Sequence, residues 1–213
     1  MTINRGRRAV AAAILLSGLA ACAATRPTAF YTLSSDATPK QPRSTKGMVI
    51  GLGPVSLPAY LDRPDIVTRE GMNEMRLAEF NRWAEPLEPL LTRIMAEDLY
   101  GLLDANDVIP LPQRADIRLD RTVAVDISRF DADDAGAVVL DARWRIYRGD
   151  GETLVASGRS LVTEQGAPVP DYEAIAAAMS RAVGAATEEI AAAIVGNGTP
   201  PVPPTTRPSR PAG

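Results

Sequence analysis

The sequence predicts an α+β domain, a mostly antiparallel sheet with two amphipathic helices packed on one face. Three observations carry that reading. After Pro86 the apolar residues Leu87, Leu91, Ile94, Met95, Leu99 and Leu102 recur at mostly three- and four-residue steps. The same period returns in Tyr172, Ile175, Met179, Val183, Ala186, Ile190 and Ile194. Before and between these segments, short runs alternate polar and apolar residues as a half-buried strand does.

Taken in order, Phe30-Tyr31-Thr32-Leu33 reads as a first strand, and the polar, Pro-rich stretch 34–47 as a loop. Met48 to Val55 is a second strand, and Asp65 to Arg69 a third. Glu70-Gly71-Met72-Asn73 turns the chain into an antiparallel partner over Glu74 to Phe80. Pro86 suits the first turn of a helix, where its missing N–H is not needed. Glu85 and Glu88 place negative charge at the positive end of that helix dipole. The helix is expected to stop near Asp104-Ala105-Asn106, followed by a short strand at Val108 to Leu111.

A meander follows. Thr122 to Phe130 sets Val123, Val125, Ile127 and Arg129 on one face, and Asp131 to Gly136 reads as an acidic hairpin loop. Ala137 to Tyr147 returns with Val138, Leu140, Ala142, Trp144 and Ile146 toward the core, and Thr153 to Thr163 is the third strand. Asp171 caps the second helix, which Gly196-Asn197-Gly198 ends. One domain, residues 30–197, is long enough for a single core. Residues 198–213 form a Pro-rich tail with almost nothing to bury, expected to be disordered and extended near its prolines.

The amino terminus carries the sharpest chemical signal. Arg5, Arg7 and Arg8 precede an almost wholly apolar run from Ala9 to Ala21, shorter than the ~20 residues of a membrane span. Leu19-Ala20-Ala21 then leads into Cys22, the one cysteine of the chain. This pattern resembles the lipobox of bacterial lipoproteins. It implies a signal peptide over 1–21, lipidation of Cys22 (a diacylglyceryl thioether, with palmitate a typical chain) and a tether over 22–29. Each buried methylene contributes about 0.8 kcal/mol, so two or three acyl chains anchor stably where one does not. Ala23 rather than Asp follows the cysteine, which favours the outer membrane, with the domain facing the periplasm.

Composition limits the chemistry. Without residues 1–21 the mature chain has 192 residues, with 20 Lys+Arg against 26 Asp+Glu. Such a balance has no pull toward nucleic acid. Histidine is absent, which excludes His-based triads and His metal sites. Lys40 and Lys46, the only lysines, lie in the expected loop, so the folded part offers neither a Walker-type lysine nor a Schiff-base lysine. With Cys22 acylated no thiolate remains. No cofactor and no enzymatic activity are expected. Gly51-Leu52-Gly53 lacks a third glycine and runs into Pro54, so it is no nucleotide loop. Asp131, Asp133 and Gly136 match a calcium loop only in part, because Ala135 and Ala142 stand where ligands belong.

Three segments together carry a family resemblance: Gly53-Pro54-Val55-Ser56-Leu57-Pro58-Ala59-Tyr60-Leu61-Asp62-Arg63-Pro64 running on to Arg69, Asn81-Arg82-Trp83-Ala84-Glu85-Pro86-Leu87, and Val123 to Trp144. With the lipobox and Phe30-Tyr31-Thr32-Leu33 before them, they resemble the ABC-type transport auxiliary lipoprotein family, the PqiC/YmbA-like proteins. The resemblance covers nearly the whole mature domain but not the tail. It implies a fold similar to the amino-terminal domain of TolB. It also implies envelope lipid transport and membrane integrity as the setting. The expected partners are an MCE-domain protein and, on other chains, an ABC permease and ATPase; a homo-oligomer stays open.

Tyr60, Leu61, Arg63 and Trp83 are the candidate docking residues. Tyr60 and Leu61 sit in a loop held by Pro58 and Pro64 and are the expected exposed anchors, in a docking surface that contacts a partner through aromatic and Arg side chains. The competing reading is that these side chains cover the end of the sheet and Trp83 plugs the core. Docking predicts that Tyr60→Ala leaves folding intact and weakens association. At the level of the whole protein, an adaptor competes with a lipid-binding carrier, which needs a cavity between sheet and helices.

Overall fold

The computed structural model describes residues 26–37, 45, 47–112 and 117–196. Cys22, the signal segment and the tail lie outside them. The elements are β1 (Ala29–Tyr31), β2 (Val49–Ser56), β3 (Asp65–Glu70), β4 (Glu74–Trp83), α1 (Leu87–Leu102), β5 (Asp107–Pro110), β6 (Arg121–Asp133), β7 (Ala137–Arg148), β8 (Leu154–Gln165) and α2 (Tyr172–Val195).

All eight strands join one mixed sheet organised around β6. Along one edge β6 takes two parallel neighbours, β2 beside Arg121–Asp126 and β3 beside Ala132–Asp133. Beyond β2 lies β5; beyond β3 lie β4 and then β1. Along its other edge β6 pairs antiparallel with β7, and β7 with β8. The expectation of a mostly antiparallel sheet is therefore corrected, since four of the seven strand pairings are parallel. The local hairpins are antiparallel as expected. The parallel pairings join segments far apart in sequence, which alternation within a segment does not encode.

Both helices pack on one face, touching each other as well as the sheet. α1 buries Leu87, Leu90, Leu91, Ile94, Met95, Leu99 and Leu102. α2 buries Ile175, Met179, Val183, Ala186, Ile190 and Ile194, and the Asp171 carboxylate accepts from the Ala174 N–H at 3.1 Å. Against them the sheet presents Val123, Val125, Ile127, Phe130 and Ala132 of β6, in register with Ile146, Trp144, Ala142, Leu140 and Val138 of β7. All ten are buried.

Arg129 is not on that face. The pairing of β6 with β7 shifts between Ile127 and Arg129, so Ser128 is an extra residue and the alternation reverses after it. Phe130 thereby turns inward, while Arg129 and Asp131 point to the face away from the helices. The expected acidic loop also shortens: Asp131 to Asp133 belong to β6, and only Asp134 to Gly136 make the turn.

The link from β1 toward β2 crosses the helix pair. Leu33 is buried in the core. The Ser34 N–H donates to Ser180 Oγ of α2 at 3.1 Å, and the Ser35 hydroxyl to Asp98 Oδ1 of α1 at 2.5 Å. The Ala37 N–H also reaches Asp98 Oδ1, at 3.4 Å. This short strap ties both helices.

Asp98 is 1 % exposed, and its Oδ2 is buried without a hydrogen-bond partner. Burial pushes its carboxyl above the usual range, against the hydrogen bonds from Ser35 and Ala37. The folded state then binds this proton more tightly than the unfolded chain does. Stability is fully present below the unfolded pKa and falls as pH rises through the folded one. Asp98→Asn removes that dependence. The Tm difference, variant minus wild type, is expected to be more positive at pH 7.5 than at pH 4. Each kcal/mol reads as roughly 2–4 °C for a domain of this size. An equal difference at both pH values would refute the assignment.

Candidate functional site

The residues expected to dock a partner are placed by the segment 57–64, between β2 and β3. Two turns fold it: the Leu61 N–H donates to Pro58 O at 2.9 Å, and the Arg63 N–H to Leu61 O at 2.8 Å. Pro64 O accepts from the Trp83 N–H at 2.7 Å, so the segment is stitched to the end of β4. Tyr60 is half-buried. Its hydroxyl donates to Asp131 Oδ2 at 3.0 Å and accepts from the Phe130 N–H at 3.3 Å.

Asp131 is the centre of a closed charge cluster. Its side chain is fully buried (0 % exposed) and meets two guanidiniums. Arg69 donates through Nε and Nη2 to both carboxylate oxygens, at 3.1 and 3.0 Å. Arg129 donates to Oδ1 through Nε at 3.0 Å. The Tyr60 hydroxyl is pushed up to about 12, first by burial and also by the neighbouring Asp131 carboxylate, against the Phe130 N–H, so it stays protonated. The cluster ties the 57–64 segment to β6 on the face away from the helices.

The four candidates do not form one patch. Leu61 (3 % exposed) and Trp83 (4 %) are core residues, which corrects the expectation that Leu61 is an exposed anchor. Trp83 lies in register with Tyr31, whose ring stands 6.4 Å from that of Tyr172 on α2, so Trp83 is on the helix side of the sheet. Tyr60 is on the opposite side. Arg63 is partly exposed, with a buried Nε that lacks a hydrogen-bond partner. Alternation carries no sign of the Asp131 cluster, because it puts Asp131 in a turn and Arg129 on the face of Val123 and Val125.

An open groove of about 610 Å³ lies where the chain enters the domain. Phe30, Tyr31 and the strap residues Thr32 and Ser34 to Asp36 form one wall; Glu173, Ala176, Ala177, Ser180 and Arg181 of α2 form the other. Phe30 is 65 % exposed. Arg181 is engaged by Glu164 Oε2 at 3.1 Å and by Gln165 O at 2.7 Å. Sequence reasoning missed this groove, because it forms between segments some 140 residues apart. Among the described residues, no group of three or more His, Cys, Asp or Glu could hold a metal ion, and no helix is long and apolar enough to cross a membrane.

A mixed sheet backed by two helices, with a strap across the helix pair, defines an α+β domain. The chain belongs to the family described as ABC-type transport auxiliary lipoprotein component, whose model matches residues 31–191. Comparison with curated proteins gave no match. Among solved structures it is similar to protein XCC0632 from Xanthomonas campestris. Identity is 23 %, the match covers 77 % of this chain and 93 % of that one, and the TM-score is 0.63. A second structure, of an uncharacterized protein, is 17 % identical, with 79 % and 99 % covered and a TM-score of 0.63. These likenesses bear on the fold.

Proposed function

We propose that this protein is a lipid-anchored, periplasm-facing auxiliary subunit of an MCE/ABC-type envelope lipid transport system, held at the outer membrane through Cys22. It acts as an adaptor between the membrane and partner chains and has no enzymatic activity of its own. The carrying observation is the family match over residues 31–191 joined to the lipobox at Cys22. Six residues separate Cys22 from Ala29, and the seven Cα–Cα steps reach at most about 25 Å, so the anchor keeps β1 and the groove beside it close to the bilayer. The kinship with the amino-terminal domain of TolB belongs to the same proposal.

The packing supports an adaptor over a carrier. A carrier needs room between sheet and helices, and there Leu91, Ile94, Leu99, Phe130, Trp144, Ile175 and Met179 are all buried against one another. The test is metabolic fatty-acid labelling of wild type and Cys22→Ala, with affinity capture from membranes and mass spectrometry of proteins and lipids. Label on wild type alone, release of Cys22→Ala from the membrane, and an MCE-domain protein in the wild-type capture are expected. An unlabelled wild type overturns the anchor. Stoichiometric phospholipid in the soluble domain, with no MCE-domain protein captured, overturns the adaptor in favour of a carrier.

A further inference from the structure

We propose that the groove between β1 and α2 is the docking site of the chain's own carboxy-terminal tail, bound in cis. Three observations carry this. The first is the chemistry of the walls. Phe30 and Tyr31 supply aromatic surface, and Asp36 and Glu173 supply negative charge, while the one lining cation, Arg181, is already engaged by Glu164. Aromatic grooves bearing acidic residues accept polyproline II segments that carry arginine, because the extended proline helix is already ordered before binding and loses little entropy.

The second is the tail. Residues 199–213 contain six prolines, Arg207 and Arg210, and no acidic side chain. Its charge is complementary to that of the groove, and its prolines favour the extended form such grooves take.

The third is reach. α2 ends at Val195, and its groove residues centre on Ala177. The path back along the helix is about 27 Å at 1.5 Å per residue. From residue 197 to Arg207 and Pro208 an extended proline-rich chain covers about 31–34 Å at 3.1 Å per residue. The arginine-bearing end therefore arrives at Glu173 and Asp36, with the earlier prolines running back along α2.

Occupancy by the tail would cover Phe30, the exposed aromatic nearest the anchor, and would place the groove under competition with any Pro-rich segment of a partner. The test uses the mature full-length chain with Cys22→Ser and Ser209→Cys, spin-labelled at residue 209. Selective loss of the amide signals of residues 30–36 and 173–181 is expected, with recovery when Arg207→Glu and Arg210→Glu are added. Broadening that is uniform over the surface, or unmoved by the two charge reversals, would overturn the site. Broadening of unlabelled isotope-enriched chains mixed with spin-labelled ones would overturn the cis assignment, because the tail would then be binding another copy.

Discussion

Asp131→Ala is expected to lower the unfolding free energy by about 3 kcal/mol, near the low end of what breaking a buried ion pair costs. The reasoning compares two kinds of charge pair in this molecule. Arg93 of α1 bridges Glu97 on the same helix and Glu85 just before it, with all three side chains well exposed. Such pairs contribute roughly 0–1 kcal/mol, since water competes with them. Asp131 is different: its carboxylate is wholly buried and receives Arg69, Arg129 and the Tyr60 hydroxyl. Removing it leaves two guanidiniums facing each other across a desolvated gap. They are 22 % and 34 % exposed, so they recover part of their hydration, which keeps the cost from the top of the range. In thermal unfolding the drop is roughly 6–12 °C. Tyr60→Phe, which forfeits hydrogen bonds to Asp131 and Phe130 but no charge, is expected to cost only about 1 kcal/mol. A loss below 1 kcal/mol for Asp131→Ala in denaturant titration would show the cluster to be solvated. The same geometry changes the meaning of Tyr60→Ala: it loosens the 57–64 segment, so weaker association of that variant does not isolate a docking contact.

The helices and the β6–β7–β8 meander were legible because their signals are local. Leu87 to Leu102 and Tyr172 to Ile194 repeat at the helical period, and Val138 to Ile146 alternate without interruption. What was not legible depends on neighbours. Nothing within Val49–Ser56 or Asp65–Glu70 says that both lie parallel to β6. One extra residue, Ser128, turns Phe130 inward and carries Arg129 and Asp131 to the other face, and no period-two pattern records an insertion of one. Tyr60 and Trp83 are joined through Pro64 in sequence and in hydrogen bonding, yet the sheet passes between them. Their types suggested a common patch; the layer they belong to is decided by the pairings of β1, β3, β4 and β6.

Gly158→Ala is expected to cost about 3 kcal/mol, at the upper end of ordinary overpacking. In the β7–β8 pairing Gly158 stands opposite Trp144, and the indole lies where a side chain at 158 would project. A Cβ there would come within 2.6 Å of Cη2 and 2.8 Å of Cε2. The ring cannot yield without a second loss. Its Nε1–H donates to Ser160 Oγ at 3.1 Å, and the Ser160 hydroxyl donates to Glu189 Oε2 of α2 at 2.6 Å. Trp144 is thus the first member of a chain that fastens the helix layer to the sheet, and a methyl group at 158 strikes its anchored end. A double-mutant cycle separates this account from a general intolerance of β8 to substitution. Trp144→Phe removes the fused ring and the N–H, at a cost typical of a core truncation, about 2–4 kcal/mol. With the smaller ring the methyl has space, so the double variant should be more stable than the sum of the single costs implies, by at least 1 kcal/mol. Strictly additive costs in denaturant titration would mean that Gly158 is required for the backbone of β8 rather than for the seat of Trp144.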